Sequence, residues 1–288
     1  MTRFAHFAAI DWSGAAGERH HGIAVALCHA GTAAPVLVRP GHRWSRGEVL
    51  DWLVSALPAD TLVGFDMGIS LAYADTAAFF PGWSESPRDA RSLWALVDRM
   101  CTSDPFLGIS SFVDHPEPAR HFRRHGGREG DRFGGGRGRL RMTELAQQAM
   151  GCTPTSNFNL VGAAQVGKAS LAGMRLLNQL DRRLPVWPID PLPPHGSVVV
   201  EIYTTLAAIA AGRSAAKSKM RDYGALNHAL DALGSAPLPR TGPVSDHASD
   251  AVLSAAWLRS AAGNPALWAP AALSAEIAAT EGWTFGAR

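Results

Sequence analysis

An apolar, strand-type run that ends in a carboxylate occurs twice early in the chain. Phe7-Ala8-Ala9-Ile10 leads into Asp11 and the turn Trp12-Ser13-Gly14, and Thr61-Leu62-Val63-Gly64-Phe65 leads into Asp66 and Met67-Gly68. A third run, Ser197-Val198-Val199-Val200, carries Glu201 ahead of Ile202. A single Asp at a strand end is an ordinary turn former. Acids on several apolar strands are different, because a buried charge without a partner is expensive. Any fold for this chain must bring those acids to water, to cations or to one another.

The spacing around these runs predicts an α/β protein. Strands are expected at Phe7 to Ile10, Gly22 to Leu27, Pro35 to Val38 and Thr61 to Phe65, with a helix over Gly47 to Leu57. Short loops between the first three, then a helix, then a strand, describe an antiparallel meander feeding a parallel crossover. Ser86-Pro87-Arg88-Asp89 reads as a helix start running to about Met100, with Ser86 as cap and Pro87 at the first helical position. Helices follow from Thr143 and over Gln165 to Leu184. Proline-dense Pro185 to Pro194 reads as a connection into the Ser197 to Ile202 strand. A further helix is expected from Thr205 and another over Ser245 to Leu258, capped by Ser245 or Asp246. The proposed site draws on residues from 11 to 250, so the chain is expected to be one domain, 1–288. A largely helical insertion at about 67–194 then lies between the fourth and fifth strands.

Between about Cys101 and Leu140 the pattern is poor, and arginine is dense: Arg120, Arg123, Arg124, Arg128, Arg132, Arg137 and Arg139, with Arg141 just beyond. This segment is either a phosphate-contacting loop that orders on nucleic acid or a solvated insertion.

Asp246 and Asp250 are four apart and share one face of their helix near its N-terminus. Asp11, Asp66, Glu201 and Asp250 converge if their strands are neighbours. Two carboxylates about 5 Å apart repel by roughly 3 kcal/mol at an effective dielectric near 20, so convergence calls for a cation. Hard oxygen ligands without a His/Cys cluster favour Mg²⁺ or Mn²⁺ over zinc. Four acids suit one or two such ions, the arrangement used to hydrolyse phosphodiesters. Candidate accessory groups are Asp246 (or a cap), His247 (a proton carrier, or an exposed helix-start residue) and Ser13. Arg139 and Arg141, with Glu144, are candidates for an ion pair at the mouth of the site that contacts substrate, and Lys168 is a candidate phosphate contact.

Composition excludes several classes. Hydrophobic residues make up 47% of the 288, yet no apolar run approaches the 18 to 20 or so needed to cross a bilayer. A net charge of +2 does not by itself call for a nucleic-acid partner. Cys28, Cys101 and Cys152 have no C-x-x-C spacing and read as reduced thiols. With no signal-peptide pattern at the start, the expected location is cytoplasmic.

The Ile10-Asp11-Trp12-Ser13-Gly14 strand end, the strand ending at Asp66, Val200-Glu201-Ile202-Tyr203, Asp246-His247-x-x-Asp250-Ala251 and the final Glu281-Gly282-Trp283-Thr284-Phe285-Gly286 resemble, in this order, the predicted nucleases of ribonuclease H-like fold, a largely uncharacterised family. The resemblance covers nearly the whole chain. It implies a five-stranded mixed sheet flanked by helices, with metal-holding catalytic acids at Asp11, Asp66, Glu201 and Asp250. It also implies nuclease activity with Mg²⁺ or Mn²⁺ on DNA or RNA, and a symmetrical substrate would suit a homodimer. Where that family often carries proline two residues after the second acid, this chain has Gly68. Two other readings share the topology. One is a nucleotide-binding phosphotransferase of the actin and sugar-kinase type, with turns at Asp11-x-Ser13-Gly14 and Asp66-x-Gly68-x-Ser70 cradling phosphate. The other is a non-catalytic member of the fold that binds nucleic acid or protein.

Overall fold

Alternation along the strands sorts their side chains onto two faces, and each face is covered by helices. In the computed structural model, which describes residues 3–162 and 166–288, six strands form one mixed sheet: β1 (His6–Asp11), β2 (Ala24–His29), β3 (Val36–Leu37), β4 (Thr61–Asp66), β5 (Val186–Trp187) and β6 (Val198–Glu201). Their order across the sheet is β3-β2-β1-β4-β6-β5. β2 runs antiparallel to both β1 and β3, while β1, β4, β6 and β5 are parallel. The meander-then-crossover expectation describes the first four strands, and helix α1 (Arg46–Ser55) makes the crossover from β3 to β4.

The sheet has six strands rather than the expected five. The additional one, β5, lies inside the stretch expected to be helical insertion and connection, where it pairs with β6 through Val186 and Trp187. Two residues before a proline carry no periodicity to read, so tertiary pairing alone makes them a strand. Among the described residues, the chain between β4 and β5 contains α2 (Ala90–Met100), short α3 (Ser110–Val113) and α4 (Pro116–Ala119), α5 (Met142–Ala149) and α6 (Val166–Gln179), joined by long irregular segments. It is less helical than expected. The expected start of α6 at Gln165 lies outside the described residues. Helix α2 begins three residues later than expected, because Asp89 rather than Ser86 is the cap and accepts from the Ser92 N–H at 2.8 Å.

On one face Ala8, Ile10, Val63, Phe65 and Val199 pack with Val49 and Leu53 of α1, Leu93, Trp94 and Val97 of α2, and Leu171, Met174 and Leu177 of α6. On the other, Phe7, Ala9, Leu62, Val198 and Val200 pack with α7 (Thr204–Ala210), α8 (Tyr223–Ala232), α9 (Asp246–Ala261) and the C-terminal Trp283 and Phe285. Helix α9 is rich in alanine and buried over most of its length. A helix apolar on all sides must be enclosed on all sides, and α9 lies between the sheet and α7 and α8. That position sets Asp250, in its second turn, over the ends of the central strands. No helix among the described residues is long and apolar enough to cross a membrane.

Candidate active site at the strand ends

Asp11 and Asp66 are register partners at the last positions of parallel neighbours β1 and β4. In-register residues of parallel strands share a face. Both acids therefore project on the α9 side, continuing the Phe7, Ala9 and Leu62 series. From the helix, Asp250 is 4% exposed and adds the third carboxylate, while Ser245 caps α9 by accepting from the Ala248 N–H at 3.2 Å.

Glu201 does not join them. Its register partner on β4 is Phe65, not Asp66, so it projects on the opposite face. There its carboxylate accepts from Arg141 Nη1 and Nη2 at 2.8 and 2.6 Å, from the Ile69 N–H at 2.9 Å and from the Thr284 hydroxyl at 2.5 Å. The expectation of four converging acids is corrected to three, and the reason is a one-residue offset in strand parity.

The three acids feel one another. Burial pushes the Asp66 carboxyl well above the usual carboxylate range, and the charges of Asp11 and Asp250 push it further. The Lys219 charge and a hydrogen bond from the Thr204 backbone pull the other way. Burial likewise raises Asp250 to about 6 despite an ion pair with Lys219 Nζ. Burial alone would lower the Lys219 ammonium, but Asp250, then Asp11 and Asp66, hold it above its ordinary value. His247 Nδ1 lies 2.7 Å from Asp11 Oδ2, and that hydrogen bond raises the imidazole against the opposing effect of burial. The site thus consists of three carboxylates balanced by one ammonium and one imidazole. Among the described residues no three His, Cys, Asp or Glu side chains are set as a ready-made metal cluster. Asp250 is paired with Lys219 and Asp11 with His247.

Lys219 was not anticipated as a site residue. It lies in the basic run Arg213, Lys217, Lys219, Arg221, which reads as a solvated face. Nothing local marks it, because its role comes from the chain segment between α7 and α8 passing over α9. His247, at the helix start, is about half exposed and pairs with Asp11. Asp246, in the first turn of α9, accepts from Arg221 at 3.3 Å and stays at the surface. The Ser13 hydroxyl accepts from the Ala15 N–H at 3.2 Å, and so shapes the turn after β1.

The expected substrate-contacting arginines are structural. Arg141 is 1% exposed, and its guanidinium is shared among Glu144, Glu201 and the Glu281 carbonyl. The Arg141–Glu144 pair exists, but inside the protein instead of at a mouth. Burial pushes the Glu144 carboxyl up against the pull of Arg141. Arg139 chelates Asp75 at 2.6 and 2.7 Å and donates to the carbonyls of Ala72, Ala78 and Phe79, pinning the 72–79 loop. Much of the arginine-rich segment is internally paired in the same way: Arg120 with Asp131, Arg123 with Glu129 and Arg124 with Asp114. Lys168 meets the His125 ring at 3.0 Å and lines a cavity.

Gly68 has a packing reason. A Cβ there would lie 2.1 Å from the Asn157 side-chain nitrogen, which donates to the Ser70 carbonyl at 2.8 Å. The turn after Asp66 is thereby held by Asn157 on one side and by Glu201, through Ile69, on the other. Comparison with known protein families, curated proteins and solved structures finds no match to this chain.

Proposed function

We propose that the protein is a divalent-cation-dependent phosphodiesterase acting on nucleic acid, with Asp11, Asp66 and Asp250 as the acids that hold the ion. The observation that carries this reading is the meeting of three carboxylates from β1, β4 and α9, two of them with raised pKa values. An arrangement that burial and mutual repulsion make costly is relieved by a cation. The donor set is all hard oxygen, which fits Mg²⁺ or Mn²⁺. Lys219, on a loop and about half exposed, is the group that gives way at Asp250 when an ion is taken up. The sheet order supports the same reading. β3-β2-β1-β4-β6, with only β2 antiparallel to its neighbours, is a mixed sheet flanked by helices that opens with the expected meander and parallel crossover, and β5 adds an edge strand.

Once bound, such an ion supplies charge neutralisation and an activated water. The chain's own groups do the rest. Asp11 orients His247 through Nδ1, leaving Nε2 to take or give a proton at the scissile phosphate. Lys219, released from Asp250, offers its ammonium to the same phosphate. The buried Arg141 network fixes the loop after Asp66 by holding Glu201 on Ile69.

The test is cleavage of labelled single-stranded, duplex and branched DNA and RNA with Mg²⁺, Mn²⁺ or EDTA. Cation-dependent cleavage that Asp66→Asn abolishes is the expected result. No cleavage of any substrate, together with tight ATP binding, would sink the proposal in favour of a phosphotransferase.

A further inference from the structure

The loop that leaves β1 after Asp11 does more than end a strand. Gly14 to Gly17 line a cavity of about 250 Å³ whose other walls are Arg46, residues 104–110, Lys168 and Ala172. Arg46 is 3% exposed and makes four hydrogen bonds, all to carbonyls: two to Ser13 at 3.1 and 2.9 Å, one to Ala15 at 2.6 Å and one to Phe106 at 2.8 Å. None reaches a carboxylate. Carbonyls satisfy N–H groups but leave the positive charge uncompensated. Burial, then the charge of nearby Arg175, pushes the guanidinium down to about 10. Lys168 adds a second cation whose near partner is an imidazole. Asp104, the one acid in the lining, is occupied by the Ser111 N–H and hydroxyl at 2.8 and 2.7 Å.

The same wall carries strain. Phe106 and Leu107 have consecutive φ values of 56° and 55°, in the left-handed region where non-glycine residues are costly. This turn presents the Phe106 ring 50% exposed beside the cavity. An exposed aromatic next to a positively charged pocket is the pairing that single-stranded nucleic acid uses, through stacking and phosphate contact.

We infer that this cavity seats one phosphate of a single-stranded nucleic acid between Lys168 and Arg46, with Phe106 stacking an adjoining base. The inference rests on the phosphodiesterase reading and specifies its substrate as unpaired strand. The geometry links the two places rigidly. The Trp12 indole donates to the Ala169 carbonyl at 3.1 Å, and a Cβ at Gly14 would lie 2.4 Å from the Ala169 nitrogen, so the loop is clamped onto α6. Gly14 is three positions after Asp11, a reach of at most about 11 Å.

The test is binding of fluorescent single-stranded and duplex oligonucleotides in EDTA, by anisotropy, to the full chain and to Lys168→Ala and Phe106→Ala. Both positions are at the surface, and circular dichroism checks folding. Single strand is expected to bind more tightly than duplex. Lys168→Ala should reduce the slope of log affinity against log salt by about 0.7, and Phe106→Ala should weaken binding at least about fivefold. Wild-type affinity in both variants, no strand binding at all, or Lys168-dependent binding of inorganic phosphate or nucleoside monophosphate alone would each overturn the inference. Cleavage is measured on the same proteins with Mg²⁺. Strand binding that needs Lys168 and Phe106 but yields no cleavage sinks hydrolysis alone. Cleavage with an unchanged KM in both variants sinks the subsite alone.

Discussion

Asp250→Asn is the most informative single change, because the structure assigns its effect a sign that ordinary ion-pair reasoning reverses. Asp250 is buried and paired with Lys219, so a simple view expects its loss to destabilise. Its carboxyl is nonetheless raised to about 6, with burial outweighing the ion pair. A rise of about two pKa units above the ordinary carboxylate value means that the ionised form costs roughly 3 kcal/mol relative to the neutral one. Asn mimics the neutral form. In EDTA at pH 7.5 the variant should therefore be about 1 to 3 kcal/mol more stable, or ~2 to 5 °C higher in Tm for a chain of this length. The sign follows from linkage. The folded state binds the proton more tightly than the unfolded chain, so wild type loses stability as pH rises from about 4 through about 6. The advantage of the variant is then full above about pH 6 and absent near pH 4. Adding Mg²⁺ should narrow or close the gap, because an ion at a hundred times its Kd stabilises the wild type by about 2.7 kcal/mol and the variant by far less. Urea denaturation at pH 7.5 and 4.5, with and without Mg²⁺, reads all of this. A variant at least 1 kcal/mol less stable than wild type in EDTA at pH 7.5 would refute the reasoning, and would make the Lys219–Asp250 pair a structural brace.

Two further outcomes follow from buried charge. Glu201→Gln leaves Arg141 and Glu144 as a broken network in the interior, and should cost about 3 to 5 kcal/mol in urea denaturation. The Mg²⁺-dependent rise in Tm should persist, and its disappearance would return Glu201 to the list of ligands. His121 is 1% exposed, packs edge-on against Phe80 at 5.3 Å and is pushed down to about 4, by burial first and then by Arg139, Arg132 and Arg120. The unfolded chain takes up the proton that the fold refuses, so this group withdraws about 3 kcal/mol as pH falls from about 6.5 to about 4. His121→Phe should flatten the acid limb of the stability profile by that amount, and an unchanged slope would count against the burial argument.

What could be read from the chain in advance was what depends on local spacing. The meander, α1, β4, α6 and α9 follow from apolar periodicity and caps, and Asp11 and Asp66 could be placed at strand ends because each follows an unbroken apolar run. β5 was not legible, since Val186 and Trp187 become a strand only by pairing with β6. Lys219 and Arg46 were not legible either, because each acquires its role from a segment far away in sequence: Asp250 for the first, Ser13 and Phe106 for the second.

The sequence by itself therefore determined which strands end in acids and which helix could cross them. Only the tertiary structure decided which acids meet. Alternation has a period of two, so the face on which a strand's last side chain emerges is set by register, and register is set by packing between strands. Asp11 opposite Asp66 makes a pair. Phe65 opposite Glu201 sends the third strand's acid through to the other face, where Arg141 neutralises it, and leaves its place to Asp250 of α9.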